Sequence, residues 1–476
     1  MLTPRRAVAI CLASVLLAVG LAACGGGGSS GASNITAPSA ASSVFPASAT
    51  LANICTTSGE QRFIRSYMDE VYLWYREIPA IDPTRYATLS SYFYALLVTT
   101  PDANGLPKDQ FSFVVNTADA DAFSTGVNVG YGVEWKLDAS GRQRVALIAE
   151  NSPAADAGMA RGGQLVQILE RNVASWYPNQ AGAYARFLYR DTPTSDPREI
   201  KLLARTVTEN PVPLSTTVTT PSGNMAGYLL FNDHSEGAQD KLIAAVRGLQ
   251  SQGLQELVLD MRYNSGGYLY VAQSLASMVS SASATGRIFE SLRYNDKRNA
   301  ATTAGTYTFT NAALYGESTY PSGTVLPKLN LRRVYMLTSS GTCSASESVI
   351  NGLRGVDVEV ILVGGATCGK PFGFTRKDNC NRAYYPIEFQ GTNAKGFGDY
   401  SAGFAPTCNA NDDLDRRLGQ ADEGQLASAL HHMDTGQCAA TPTQGFMPQS
   451  VKTDDEALAN DTKRPAHGRL LRPSMQ

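Results

Sequence analysis

Apolar residues recur at helical spacing at Leu242, Ile243, Val246 and Leu249, which predicts an amphipathic helix with one buried face. Just before it, Gly227-Tyr-Leu-Leu-Phe-Asn-Asp-His234 is an apolar run that turns polar at its end, the pattern of a core strand. Leu257-Val-Leu-Asp-Met-Arg-Tyr-Asn-Ser-Gly-Gly267 reads as a second buried strand, running into a turn whose two glycines allow close backbone approach. Val360 to Val363 is a third apolar, strand-like segment. Strands alternating with helices predict an α/β core. Nearer the N-terminus, Glu60 to Ile78 and Leu89 to Val98 read as helices rich in aromatics such as Tyr67, Tyr72, Trp74 and Tyr75, which fit a core better than a binding stripe.

The first 23 residues follow a different pattern. Arg5 and Arg6, the apolar run Ala7 to Val19 and then Leu21-Ala-Ala-Cys24 look like a bacterial lipoprotein signal, with cleavage before Cys24 and acylation of that residue. A membrane partner through this lipid anchor and a place in the bacterial cell envelope, on the periplasmic face, follow from that likeness. Gly25 rather than an acid after the cysteine points to the outer membrane. Residues 24–50 are mostly Gly, Ser and Ala without charge, the composition of a flexible tether. Residues 439–476 are rich in Pro, Thr and charge, and are expected to be disordered. A length of 476 residues leaves room for about three domains between these ends. The net charge of −2 gives no case for a nucleic-acid partner. Of the four histidines, His431 and His432 are adjacent on an expected helix and point different ways, while His234 and His467 lack a nearby cysteine or acid cluster, so neither a metal nor a cofactor is expected.

The candidate chemistry lies in Cys343-Ser-Ala-Ser-Glu347 and, 26 residues after Ser344, in Gly364-Gly-Ala-Thr-Cys-Gly-Lys370. A serine hydroxyl needs a neighbour to take its proton before it can attack a carbonyl. Lysine can serve only when neutral, and bringing an exposed lysine from a pKa of about 10.4 to about 7–8 costs roughly 3–5 kcal/mol, which burial supplies. The flanks of Lys370 are apolar enough for this: Val360 to Val363 before it, Pro371, Phe372 and Phe374 after it. Each half also has an ordinary reading. Ser344 to Glu347 is a capping box at a helix start, and Gly364 to Lys370 approaches a phosphate loop but has Pro371 where the magnesium-binding hydroxyl belongs. Ser346 competes with Ser344 as the nucleophile.

Taken together, the Leu257 to Gly267 strand and turn, the Ser-Ala-Ser-Glu helix start and the Gly-Lys loop resemble the C-terminal processing, or tail-specific, serine peptidases. The resemblance implies Ser344 as nucleophile, Lys370 as general base and Glu347 as a supporting polar group. The oxyanion donors would be the N–H groups of Ala345 and of either Gly266 or Gly267. It also implies a multidomain α/β fold with a crotonase-like (ClpP-like) sheet in the peptidase core. Relatives carry a glutamine four residues beyond the lysine, where this chain has Phe374. Upstream, Gly130-Tyr-Gly-Val133 and the segment Ser152 to Leu169 resemble a PDZ domain, which holds a peptide's terminal carboxylate on loop amides. Gly130, Tyr131, Gly132 and Val133 would then bind substrate, and the partners would be proteins or peptides with free C-termini. The implied organisation is a helical segment over 51–111, a PDZ-like domain over 112–206 and a peptidase core over 207–438. The rival reading is a catalytically silent lipoprotein that only binds peptides.

Besides Cys24, six cysteines remain after the leader. In an oxidising compartment an even count predicts disulfides. Proximity pairs Cys368 with Cys380 and Cys408 with Cys438. Cys55 and Cys343 are left over, to pair with each other or to leave Cys343 free. The segment Tyr384 to Cys408, rich in Gly and aromatics, is expected to line the substrate groove.

Overall fold

The computed structural model describes residues 44–172, 178 and 180–440, together with the backbone of 469–470. The leader, Cys24 and most of both the tether and the tail lie outside the described residues. Six strands form the central sheet, in the order Cys408–Asn409, Glu359–Gly364, Arg333–Thr338, Leu257–Asp260, Met225–Leu230 and Leu214–Thr219. Every neighbouring pair is parallel except the last.

Alternate residues of these strands enter two different cores. Leu257, Leu259, Val334, Met336 and Leu362 join the main apolar cluster. Val258, Tyr335, Leu337 and Val363 meet Leu426, Ala429 and Leu430 of the helix Gly424–Thr435 on the opposite face. A parallel sheet covered on both faces explains why its strands read as unbroken apolar runs rather than alternating ones. The predicted amphipathic helix is Ala238–Gln250, and its Leu242, Ile243, Val246 and Leu249 are all buried.

The N-terminal helices are Thr57–Val71 and Leu89–Ala95. The first stops well short of Ile78 because tertiary bonds replace helix propagation. The Tyr72 hydroxyl donates to Asp109 Oδ2 at 2.6 Å, and the Leu73 N–H donates to the Ile387 carbonyl at 2.8 Å. Phe113–Asn116 pairs with Arg382–Tyr385, far along the chain. Between 127 and 208, Val127–Gly130 pairs with Arg205–Thr208, and five further strands form an antiparallel sheet in chain order. This sheet has its own core around Trp135, Val145, Phe187 and Tyr189. Of the tail beyond residue 440, the described residues Arg469–Leu470 pair with Phe372–Phe374 in a second five-stranded sheet, and the rest lies outside the described residues.

Two of the expected disulfide pairings are corrected. Cys408–Cys438 is present, but Cys368 joins Cys343 and Cys380 joins Cys55. The short segment after Cys368 contains the strands Phe372–Phe374 and Lys377–Asn379, which carry Cys380 away to a turn. There the Asn379 side chain accepts the Asn53 N–H at 2.8 Å, beside Cys55. Cys368 instead lies next to Cys343, because its N–H donates to the Thr342 carbonyl at 3.0 Å.

Candidate active site

Three adjacent parallel strands, Leu257–Asp260, Arg333–Thr338 and Glu359–Gly364, each deliver one candidate segment beyond its carboxyl end: the Gly266-Gly267 turn, Ser344 and Lys370. Crevices at that end of a parallel sheet are where α/β folds bind ligands.

Ser344 precedes the helix Ala345–Gly355 with φ +57° and ψ −110°, a conformation side-chain-bearing residues rarely adopt. Such strain costs about 1–3 kcal/mol and persists only where the surroundings over-determine it. Here the Ser344 N–H donates to Glu347 Oε2 at 2.9 Å, and the Cys343 N–H donates to the Asn264 carbonyl at 3.1 Å. The Ser344 hydroxyl is buried and has no hydrogen-bond partner among the described residues. Ser346 differs, since its hydroxyl donates to the Asn264 carbonyl at 3.0 Å.

Both turn glycines are required by close packing. A Cβ on Gly266 (φ +105°) would lie 3.0 Å from Ser344 Cβ and from the Ala345 nitrogen, and one on Gly267 (φ +136°) would lie 2.8 Å from the His234 backbone and Cβ. Asn264 braces the turn. Its Oδ1 accepts the Gly266 N–H at 3.0 Å and lies 2.9 Å from His234 Nδ1, while its amide donates to the Phe231 carbonyl. Because Oδ1 is the acceptor for Gly266, the His234 proton sits on Nδ1. Burial pushes this imidazole down to about 3, outweighing Asn264 and Gly266, so the ring is neutral.

Glu347 is fully buried and ties the serine turn to the lysine loop. Oε1 accepts from Thr367 Oγ1 at 2.6 Å and the Gly369 N–H at 2.8 Å, and Oε2 accepts from the Ser344 N–H and, at 2.8 Å, the Lys370 N–H. Burial pushes the carboxyl above its usual range, and these four donors only partly offset it. Lys370 is also fully buried, with Nζ 4.3 Å from the Phe374 ring centre and 5.1 Å from that of Phe111. Phe374 therefore packs on the amine itself. The Cys343 and Cys368 sulfurs and the Glu347 carboxylate lie within 4.8 Å of one another. The two sulfurs are bonded together, which removes the thiolates a metal would need.

A cavity of about 640 Å³ opens beside this group. Phe111, Tyr263, Ser265, Cys343, Thr367 and Cys368 line it, together with Gly132 and, from the antiparallel sheet, Val133 and Leu147. Of the four predicted substrate-loop residues, Gly132 and Val133 reach the cavity. Gly130 ends a strand, and Tyr131 is buried in the sheet's core. The segment Tyr384 to Cys408 does not contribute to the lining, contrary to expectation. It packs beneath the lysine loop, where the Phe404 N–H donates to Thr367 Oγ1 at 2.7 Å.

Sequence reading missed Asn264, His234, Thr367 and Phe111. It also missed the network that anchors the glycine turn. The fully buried Arg262 binds both carboxylate oxygens of Asp260, at 3.0 Å each, both of Glu423 at 2.6 and 2.9 Å, and Asp412 at 2.9 Å. Arg161, from the antiparallel-sheet segment, donates to the Tyr263 hydroxyl and to Asp412, each at 2.6 Å.

A family model described as peptidase family S41 matches residues 225–381, and one described as the peptidase S41 N-terminal domain matches residues 59–113. The carboxyl-terminal-processing protease of Picosynechococcus sp. (strain ATCC 27264 / PCC 7002 / PR-6) is 27% identical over 162 residues. That match spans 32% of this chain and 38% of the relative. Among solved structures, an S41-assigned protease from Bacteroides fragilis NCTC 9343 has a similar fold, with TM-score 0.60 at 23% identity over 79% of this chain and 97% of that one. The photosystem II D1 C-terminal processing protease overlaps 78% of this chain and 98% of its own, at 18% identity and TM-score 0.46.

Proposed function

Since this chain belongs to the S41 peptidase family, we propose that it is an exported serine endopeptidase of the C-terminal processing type, with Ser344 as nucleophile and Lys370 as general base. One observation carries the reading: a buried serine hydroxyl without a hydrogen bond, on a strained turn that a single carboxylate ties to the loop burying a lysine. Withdrawing an ammonium from water costs several kcal/mol. Burial of this kind is what would bring Lys370 to the neutral amine that a base requires.

In this mechanism Ser344 Oγ attacks the scissile carbonyl carbon while its proton passes to Lys370 Nζ. The lysine then protonates the departing amine, and water, activated by the same amine, releases the acyl group from Ser344. The oxyanion falls to the N–H groups of Ala345 and Gly267, because Asn264 already holds the Gly266 N–H. The 127–208 segment acts as a PDZ-like module that presents a substrate C-terminus through the Gly132 and Val133 side of the cavity. The lipoprotein-like leader supports acylation at Cys24 and a periplasm-facing, outer-membrane site.

The test is cleavage of an unstructured polypeptide with a free C-terminus against the same chain amidated. Amidation is expected to lower kcat/KM by about 10- to 100-fold, the worth of one charge-assisted recognition contact. Tight carboxylate-dependent binding without cleavage of either form would establish the silent binder instead. A second expectation concerns Glu347→Gln. Its amide NH2 would face two of the four donors, so turnover should fall by about 10- to 100-fold with little change in KM. Unchanged turnover would remove Glu347 from the site's support.

A further inference from the structure

We propose that the Cys343–Cys368 disulfide is a thiol–disulfide exchange site that sets whether the dyad is assembled, making the peptidase active in its oxidised form and switched off by dithiols. The inference rests on the Ser344 and Lys370 reading. The bridge joins the residue immediately before the candidate nucleophile to the residue two before the candidate base. The serine turn and lysine loop therefore have one covalent tie, beside the noncovalent ones made by the Glu347 carboxylate and by the Cys368 N–H on the Thr342 carbonyl. The strained backbone of Ser344 needs such over-determination. Loss of the covalent tie lets the turn relax, and a displacement of about 1 Å at reacting groups costs about 10²-fold in rate.

The site is also reachable. Cys343 and Cys368 both line the cavity that substrate would enter, and Cys368 is only partly buried. The cysteines of the other two bridges are not among the lining residues. In the exchange, a dithiol's thiolate attacks Cys368 Sγ, forming a mixed disulfide and releasing the Cys343 thiolate. The second thiol then closes the reductant's own disulfide and releases Cys368. The protein gains two electrons and two protons, and the dithiol becomes a cyclic disulfide.

The test equilibrates the full-length protein across dithiothreitol redox buffers, reading cleavage of an unstructured polypeptide and differential alkylation of each cysteine by mass spectrometry. Turnover is expected to fall about 10- to 100-fold in step with alkylation of Cys343 and Cys368, and to return on reoxidation. Variants lacking either of the other bridges (Cys55→Ser with Cys380→Ser, or Cys408→Ser with Cys438→Ser) should keep that response. Cys343→Ala with Cys368→Ala should be slow and indifferent to dithiol. Hydrogen exchange gives a readout independent of activity: protection at 340–347 and 366–372 should drop on reduction while the central strands stay protected. Full turnover with both thiols alkylated, or unchanged exchange in those segments, would overturn the switch. Loosening on reduction in a protein that never cleaves would uphold the exchange site and refute the peptidase reading instead.

Discussion

Ser344→Ala is expected to reduce peptide-bond cleavage by about 10⁴- to 10⁶-fold while leaving the fold intact, and Lys370→Met should do the same. Residues that act as one catalytic unit show losses of this size, and the double variant should be no slower than either single one. The structure explains why the first substitution should be nearly silent for stability. The Ser344 hydroxyl makes no hydrogen bond among the described residues, so its removal breaks none, and alanine places the same Cβ on the strained backbone. Methionine keeps most of the lysine's volume between Phe111 and Phe374 and removes only the amine. Ser346→Ala is the control: it forfeits a bond to the Asn264 carbonyl, worth about 1 kcal/mol, and should keep its activity. Activity surviving Ser344→Ala but lost in Ser346→Ala would move the nucleophile two residues along.

The largest stability effect is expected at Arg262. Arg262→Met leaves Asp260 and Glu423 buried without their counter-ion, a change worth about 3–5 kcal/mol of destabilisation, measurable as a lowered denaturant midpoint. A pH signature should accompany it. Burial works to raise the Asp412 carboxyl, but the Arg262 and Arg161 guanidiniums outweigh it and hold the group below the ordinary aspartate range. A carboxyl depressed in the folded state contributes stability above its unfolded value and loses it as pH falls through the folded one. With Arg262 gone the folded value rises, so acid unfolding should begin at a higher pH than in the wild type. An unshifted acid transition would mean that Arg161 alone sets Asp412.

The segments that converge here were legible where local chemistry and long-range geometry agree. Leu257 to Gly267 could be read because a strand buried on both faces must be apolar throughout, and because two glycines mark a turn that something approaches closely. Ser344, Glu347 and Lys370 were singled out by the motifs that resemble a peptidase family, and the structure brings their segments together through the Glu347 carboxylate. Asn264 and His234 could not, since bracing a turn from the side uses ordinary polar residues with no fixed spacing. The cysteine pairings failed for a related reason. Sequence distance says nothing about which turn a strand delivers its end to, and Cys368 and Cys380 are parted by two strands. The end of the first helix was misplaced because Tyr72 and Leu73 bond to groups remote in the chain.

The Cys55–Cys380 bridge spans 325 positions and so encloses most of the polypeptide in one covalent ring. A single cut anywhere inside that ring opens the chain without dividing the molecule. Self-nicking by such a peptidase, or clipping by another, would leave one particle of unchanged mass apart from an added water. The fragments would part only in a reducing gel, so preparations judged intact without a thiol can contain molecules that are already cut.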